Sequence, residues 1–208
     1  VSDPALLVVK VGGGLLRDQG LEGLRRACSE VRALATSRRV LVVPGGGPFA
    51  DAVRDIDARV GLGDEVAHVL AMRAMDQLGE LLSSLLPDAL PAADLVAPRA
   101  GLAVLAVHAA FAVRPDIPAS WAVTSDSLAV LAAGAIGAQE AVLLKPVAGV
   151  FARWPSEGDA PLPTLTADEL EARGLQAVDP YLPDAVRRTG VAVIVRSPDS
   201  AGTRITPR

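Results

Sequence analysis

The chain has 208 residues, half of them hydrophobic and only 3% aromatic, with a formal net charge of −4. Scarce aromatics exclude a base-stacking nucleic-acid surface, and the acidic balance excludes a broad basic face, so any phosphate must be bound locally. A lone cysteine, Cys28, excludes an internal disulfide framework, and two distant histidines, His68 and His108, give no zinc pattern.

Ala5–Val11 reads as a buried strand, apolar throughout except for Lys10. Gly12–Gly14 turns the chain. Asp18–Ser37 then has helical spacing at Leu21, Leu24, Ala27, Cys28, Val31 and Leu34. Arg39–Val43 is a second buried strand, broken by Pro44–Gly47, and Pro48 opens a helix running to about Val60. This βαβα pattern predicts an α/β fold with a mainly parallel sheet covered on both faces.

Asp64–Leu86 is a long helix, ended by Pro87 and Pro91. Short strands are expected at Leu95–Ala97 and Leu102–Val107, with a loop over Arg114–Ala119. Thr124 or Ser125 caps a helix from about Ser127 to Ala138. Glu140–Leu144 is a strand, which Val147–Phe151 could extend. Pro155–Pro163 has loop composition. Thr166 with Glu169 three residues on forms a capping box. Pro183–Thr189 is a helix, and Val191–Val195 and Thr203–Ile205 are strands. At this length one domain spans residues 1–208. The longest apolar stretch, around Leu102–Val113, is too short to span a bilayer. No basic leader precedes the first strand, so a cytoplasmic location is expected.

Only two lysines occur, Lys10 and Lys145, against eighteen arginines. Each ends an apolar run and is followed by glycine. A compact ammonium on a flexible stem suits a phosphate that moves during reaction better than arginine's rigid fork. The glycine triplets Gly12–Gly14 and Gly45–Gly47 each lie between a strand and a helix. There the backbone can approach an anion closely, and the helix N-terminus favours negative charge. On adjacent parallel strands the two turns would share one carboxyl edge. Neither is a Walker loop or a dinucleotide fingerprint. Asp126, at a helix start, could serve the helix dipole alone or hold both lysines by charged hydrogen bonds. His68, Arg73 and Asp76 lie on the Asp64–Leu86 helix, where they could face a substrate or solvent. Trp121 could cover a ligand ring or fill the core.

Five segments occur in the order of the amino acid kinase superfamily, which the chain resembles along nearly its whole length. They are Lys10-Val-Gly-Gly-Gly14, Val43-Pro-Gly-Gly-Gly47, Thr124-Ser-Asp-Ser-Leu-Ala129, Leu144-Lys-Pro-Val-Ala-Gly-Val150 and Gly202-Thr-Arg-Ile205. Ala71-Met-Arg-Ala-Met-Asp-Gln-Leu-Gly79 and Trp121-Ala-Val-Thr-Ser-Asp-Ser127 look most similar to its methanofuran-pathway branch, which phosphorylates aminomethyl-furan-methanol phosphate to the diphosphate. A bacterial relative would serve methylofuran synthesis in one-carbon metabolism.

The resemblance implies an open αβα sandwich, with the acceptor mainly over residues 1–138 and MgATP mainly over residues 139–208. It implies catalytic roles for Lys10, Asp126 and Lys145. Gly12, Gly13, Gly14, Lys145, Gly149 and Arg153 would face the nucleotide. Gly45, Gly46, Gly47, Arg73, Asp76, Thr124 and Ser125 would face the acceptor. Mg²⁺ would ride on the ATP phosphates, with no protein metal site. A homo-oligomer is expected, with no nucleic-acid or membrane partner. Two departures stand out: Ala148 replaces an acid common in the superfamily, and no lysine follows Lys145. They leave open a kinase of another small phosphate or carboxylate, such as a nucleoside or isoprenoid monophosphate or acetylglutamate. They also leave open a non-catalytic nucleotide-binding or storage protein on the same scaffold.

Overall fold

A computed structural model describes residues 4–99, 101–153 and 159–208. Eight strands form one sheet: β1 (Leu6–Val11), β2 (Arg39–Pro44), β3 (Leu90–Ala92), β4 (Leu102–Leu105), β5 (Glu140–Leu144), β6 (Thr164–Thr166), β7 (Ala192–Arg196) and β8 (Thr203–Thr206). Their order is β3-β4-β2-β1-β5-β7-β8-β6, and every pairing is parallel except β7 with β8. The helices are α1 (Gly13–Ala35), α2 (Gly47–Val60), α3 (Asp64–Leu85), α4 (Val107–Phe111), α5 (Ser125–Ile136), α6 (Ala167–Ala172) and α7 (Leu182–Thr189).

Strand alternation decides what each face covers. Leu7, Val9 and Val11 of β1 pack with Leu24, Ala27, Cys28 and Val31 of α1. Val8 points the other way, among Leu128, Ala129 and Ala132 of α5 and Ala185 and Val186 of α7. β2 and β5 alternate likewise, with Leu41, Val43, Ala141 and Leu143 on the α5 side. By the same parity Lys10 lies on the α5 face, at the end of a strand otherwise wholly apolar. Its main-chain register partner on β5 is Leu143, so Lys145 follows just beyond that pairing.

The chain runs from β1 to β2, moves out to the edge strand β3, returns to β4 between β3 and β2, then crosses to β5 on the other side of β1. The β1–β5 boundary is therefore the point where connection direction reverses, where open α/β sheets leave a crevice at their carboxyl edge. Lys10 and Lys145 both stand at that edge.

Several elements differ from their sequence expectations. α1 starts at Gly13, not Asp18, and is broken at Gly20 (φ 62°), so its short first segment takes its own direction. Leu95–Ala97 is not a strand; β3 lies earlier and includes Pro91, which the sheet tolerates because β3 is an edge. β4 stops at Leu105 because the chain turns into α4, whose first turn is capped by Asp76 accepting from the His108 N–H at 3.2 Å. Val147–Phe151 does not extend β5. Lys145 N–H still donates to Arg196 O at 2.9 Å, but Pro146 has no donor and the chain leaves the sheet. β6 was not anticipated; its three residues pair with β8. The Thr166–Glu169 capping box forms as expected. Of the Pro155–Pro163 loop, residues 155–158 lie outside the described residues.

Candidate active site

Three elements deliver the centre of the crevice. β1 brings Lys10, the end of β5 brings Lys145, and the first turn of α5 brings Asp126. Lys10 Nζ lies 2.8 Å from Asp126 Oδ1, and Lys145 Nζ lies 2.7 Å from Oδ2. Lys10 is only 4% exposed and Asp126 3%, so the attraction acts with little screening by water. Burial works against the Asp126 carboxylate, but the two ammonium groups outweigh it and hold its pKa far below the usual carboxylate range. Burial also pushes Lys10 below an ordinary lysine; the Asp126 charge opposes this and the neighbouring Lys145 charge adds to it.

Asp126 is itself positioned by a residue that the sequence did not single out. Asp179, 7% exposed, lies just before α7. Its Oδ2 accepts from Thr124 N–H (3.0 Å), Thr124 Oγ1 (2.8 Å) and Ser127 N–H (3.0 Å), while Oδ1 accepts from the Ser127 hydroxyl. Asp179 N–H donates to Asp126 Oδ2 at 3.2 Å. Thr124 thus occupies the N-cap position of α5, but the capping acceptor comes from Asp179, more than fifty residues downstream. Burial, then the Asp126 charge, raises the Asp179 pKa, against the hydrogen bonds from Ser127 and Thr124.

The two glycine turns interlock. A Cβ on Gly13 would fall 2.0 Å from Gly47 N, and one on Gly45 would fall 2.5 Å from Gly13 N. Gly47 also needs φ +53°. Glycine here is first a packing requirement, because backbone meets backbone with no room for a side chain. Gly12 N–H donates to Leu144 O (2.8 Å) and Gly45 N–H to Val11 O (2.9 Å), so both donors are committed to the turns. The remaining turn donors lie at Gly13 and Gly14, which begin α1, and at Gly46 and Gly47, the N-cap and first residue of α2.

Two cavities meet at this centre. One, of about 500 Å³, is lined by Gly12, Pro146, Gly149, Phe151, Arg153 and Arg173, among others. The other, of about 250 Å³, is lined by Gly13, Gly46, Gly47, His68, Trp121, Thr124 and Ser125, among others. Lys10, Gly14, Arg17 and Lys145 line both. Gly149 is held against the C-terminal motif: a Cβ there would lie 2.7 Å from Thr203 Oγ1, and that hydroxyl accepts from Val150 N–H at 2.8 Å. The carbonyl of Ala148, the residue that replaces the superfamily's common acid, accepts from the Ser200 hydroxyl at 2.9 Å.

The second cavity's far wall is a chain of paired groups. Trp121 Nε1 donates to Asp57 Oδ2 at 2.8 Å, and the Arg54 guanidinium carbon sits 4.5 Å from the Trp121 ring centroid. Asp51 bridges Arg54 (3.5 Å) and Arg17 (3.1 Å). His68 lines this cavity, and burial lowers its pKa against a backbone hydrogen bond with Ser120.

The chain matches the profile of the amino acid kinase family over residues 5–197. It belongs to that family. It is 28% identical over 183 residues to the [5-(aminomethyl)furan-3-yl]methyl phosphate kinase of Methanocaldococcus jannaschii, covering 85% of this chain and 80% of that protein. Its fold is similar to uridylate kinase from Archaeoglobus fulgidus (TM-score 0.71, 20% identity, 96% of this chain and 99% of that one). It is also similar to the UMP kinase from Bacillus anthracis (TM-score 0.74, 16% identity, 99% and 97%). This chain is therefore a small-molecule kinase of α/β architecture.

Within the kinase, the expected site residues separate into three groups. Lys10, Asp126 and Lys145 converge. Gly12, Gly14, Gly149 and Arg153 line the larger cavity, whereas Gly46, Gly47, Thr124 and Ser125 line the smaller one. Four expected residues sit apart from this division. Gly13, expected on the nucleotide side, lines the smaller cavity. Gly45 lines neither cavity, because it is buried under the Gly13 backbone. Arg73 is exposed and lines neither cavity. Asp76 is turned to α4, where burial raises its pKa and the His108 and Val107 N–H groups lower it. The α3 residues that do line the smaller cavity are His68, Ala71, Met72 and Met75. Asp179, Arg17, Arg54 and Arg173 were missed. Arginine at helix positions has no local signal separating a cleft from solvent, and no local pattern ties Asp179 to α5.

Proposed function

We propose that this kinase transfers the γ-phosphoryl group of ATP to a small phosphate monoester, with aminomethyl-furan-methanol phosphate as acceptor and its diphosphate as product. Asp126 held between two lysines where two cavities meet carries this reading. The larger cavity has the size and the cations, Lys145, Arg153 and Arg173, for a nucleoside triphosphate. The smaller one pairs glycine-turn donors with an aromatic wall at Trp121. The 28% identity to the furanylmethyl phosphate kinase favours this acceptor over nucleoside or isoprenoid monophosphates.

An acceptor phosphate oxygen attacks the γ-phosphorus in line. A new P–O bond forms, the bond from the γ-phosphorus to the β,γ-bridging oxygen breaks, and that electron pair leaves with ADP. With a second pKa near 6, the acceptor is already anionic at neutral pH and needs no general base. Lys10 lies between donor and acceptor and neutralises the moving group. Lys145 holds the γ-phosphate from the nucleotide side, and Asp126 keeps both ammonium groups charged and aimed. Catalysis is then positioning and charge stabilisation. Among the described residues, no group of three histidine, cysteine or acidic side chains could hold a metal ion. Asp126 is committed to two lysines, so Mg²⁺ would enter bound to ATP.

The protein would serve methylofuran synthesis in a cytoplasmic setting. A panel of furan, nucleoside, isoprenoid and acylamino-acid acceptors, followed by ADP release and phosphorus NMR, tests this reading. The furan phosphate should give the highest kcat/KM and a new diphosphate resonance. Faster turnover of a nucleoside monophosphate would reassign the acceptor, and ATP binding without transfer to any member would remove the kinase reading.

A further inference from the structure

Arg17 is the single side chain besides the two lysines that lines both cavities among the described residues. It stands one turn into α1, before the Gly20 break, on the segment the glycine turn directs at the crevice. Its Nε donates to Asp18 at 3.1 Å, and Nη1 donates to Asp51 at 3.1 and 3.4 Å. Nη2 takes part in neither contact and lies beside the glycine turn: a Cβ on Gly14 would fall 3.4 Å from it. Asp51 is anchored in turn by Arg54, which rests on Trp121. A fork held by acids on two of its three nitrogens is pre-aimed through the third, an arrangement that suits phosphate recognition.

A surface ion pair would explain the Asp18 and Asp51 contacts, but such pairs contribute little, and neither accounts for a free nitrogen at the junction of two cavities. We propose that Arg17 is a catalytic residue of this kinase, the third cation of the transfer centre, contacting the γ-phosphoryl group through Nη2 in the bound nucleotide and during transfer. The inference rests on the phosphotransfer reading given above, in which Arg17 takes no proton and forms no bond; it adds positive charge where the two cavities meet.

The test compares wild type with R17A, R17K and, as a control on the exposed side of α1, R25A. Calorimetry with ATP and with ADP separates a γ-phosphate contact from general nucleotide binding. R17A should bind ATP about tenfold more weakly, as expected for loss of one charged hydrogen bond, with ADP affinity unchanged. Its turnover on the acceptor should fall by about 10²–10³. R17K should recover part of the ATP affinity, and R25A should match wild type in both assays. Equal weakening for ATP and ADP, or no weakening for either, overturns the proposal. If wild type fails to phosphorylate any acceptor, the function reading fails, yet the ATP-against-ADP comparison still decides the role of Arg17.

Discussion

The smaller and larger cavities share a floor but are built by different means. The smaller is framed by backbone: two glycine turns pressed together, and the start of α5 pinned by Asp179. The larger is framed by connecting segments, the turn from Pro146 to Arg153 and the stretch from Arg173 to Ala177. Backbone against backbone leaves no room for adjustment, whereas loop side chains set charge and leave shape adjustable. A site for one small phosphate ester needs the first kind of wall. A nucleotide, whose phosphates supply most of the binding handle, tolerates the second.

The largest effect should follow from breaking the glycine interlock. In Gly13→Ala the new methyl would overlap Gly47, so the turns must part. A stability loss of about 3 kcal/mol is expected by chemical denaturation, with acceptor turnover lost even where the protein remains folded. A stable, active Gly13→Ala protein would show that the two turns do not need contact.

Removing the Asp179 carboxylate should come next. Asp179→Ala leaves two N–H groups, that of Ser127 buried and that of Thr124 partly buried, and two hydroxyls of the α5 start without their acceptor, at a cost of about 2–3 kcal/mol. The α5 start that carries Asp126 would lose its anchor, although the Asp179 N–H to Asp126 remains, and kcat should drop about tenfold or more from misplacement, with smaller changes in either KM. If instead stability falls and kcat holds, Asp179 supports the fold alone.

The pH profile sharpens the comparison at the shared floor. Burial depresses the Lys10 pKa, and transfer requires its protonated form, so activity is lost as pH rises through that depressed value. The alkaline limb of kcat/KM should therefore begin below the ordinary lysine value of about 10.4. Lys10→Arg, if it retains measurable activity, should lack that limb. The smallest effect belongs to the larger cavity. Arg173 is exposed there, and Arg173→Ala should raise the KM for ATP about threefold, the scale of an exposed charge contact, without touching the acceptor KM.

Sequence legibility followed the same division. Buried strands showed as unbroken apolar runs, and the glycine turns showed because nothing else fits where two backbones touch. Lys10 and Lys145 stood out because arginine supplies nearly all other positive charge. Asp126 was visible as one of two readings. What stayed hidden depends on long-range contact: Asp179 acts on α5 from far along the chain, and Arg17 and Arg54 differ from surface arginines only in where their helices point. The bond from Asp76 to the start of α4 was hidden because a carboxylate on a helix facing the crevice and one capping the next helix have the same local sequence. Pro91 misled because a proline reads as a stop, while at a sheet edge it is tolerated.

Single-turnover transfer by Lys10→Ala, measured beside its thermal unfolding, bears most directly on the claim that the lysine pair gripped by Asp126 is the transfer centre. The account predicts a folded protein that still binds ATP through the larger cavity, with the transfer step slowed by about 10²–10³ or more. A transfer rate near that of wild type would contradict it.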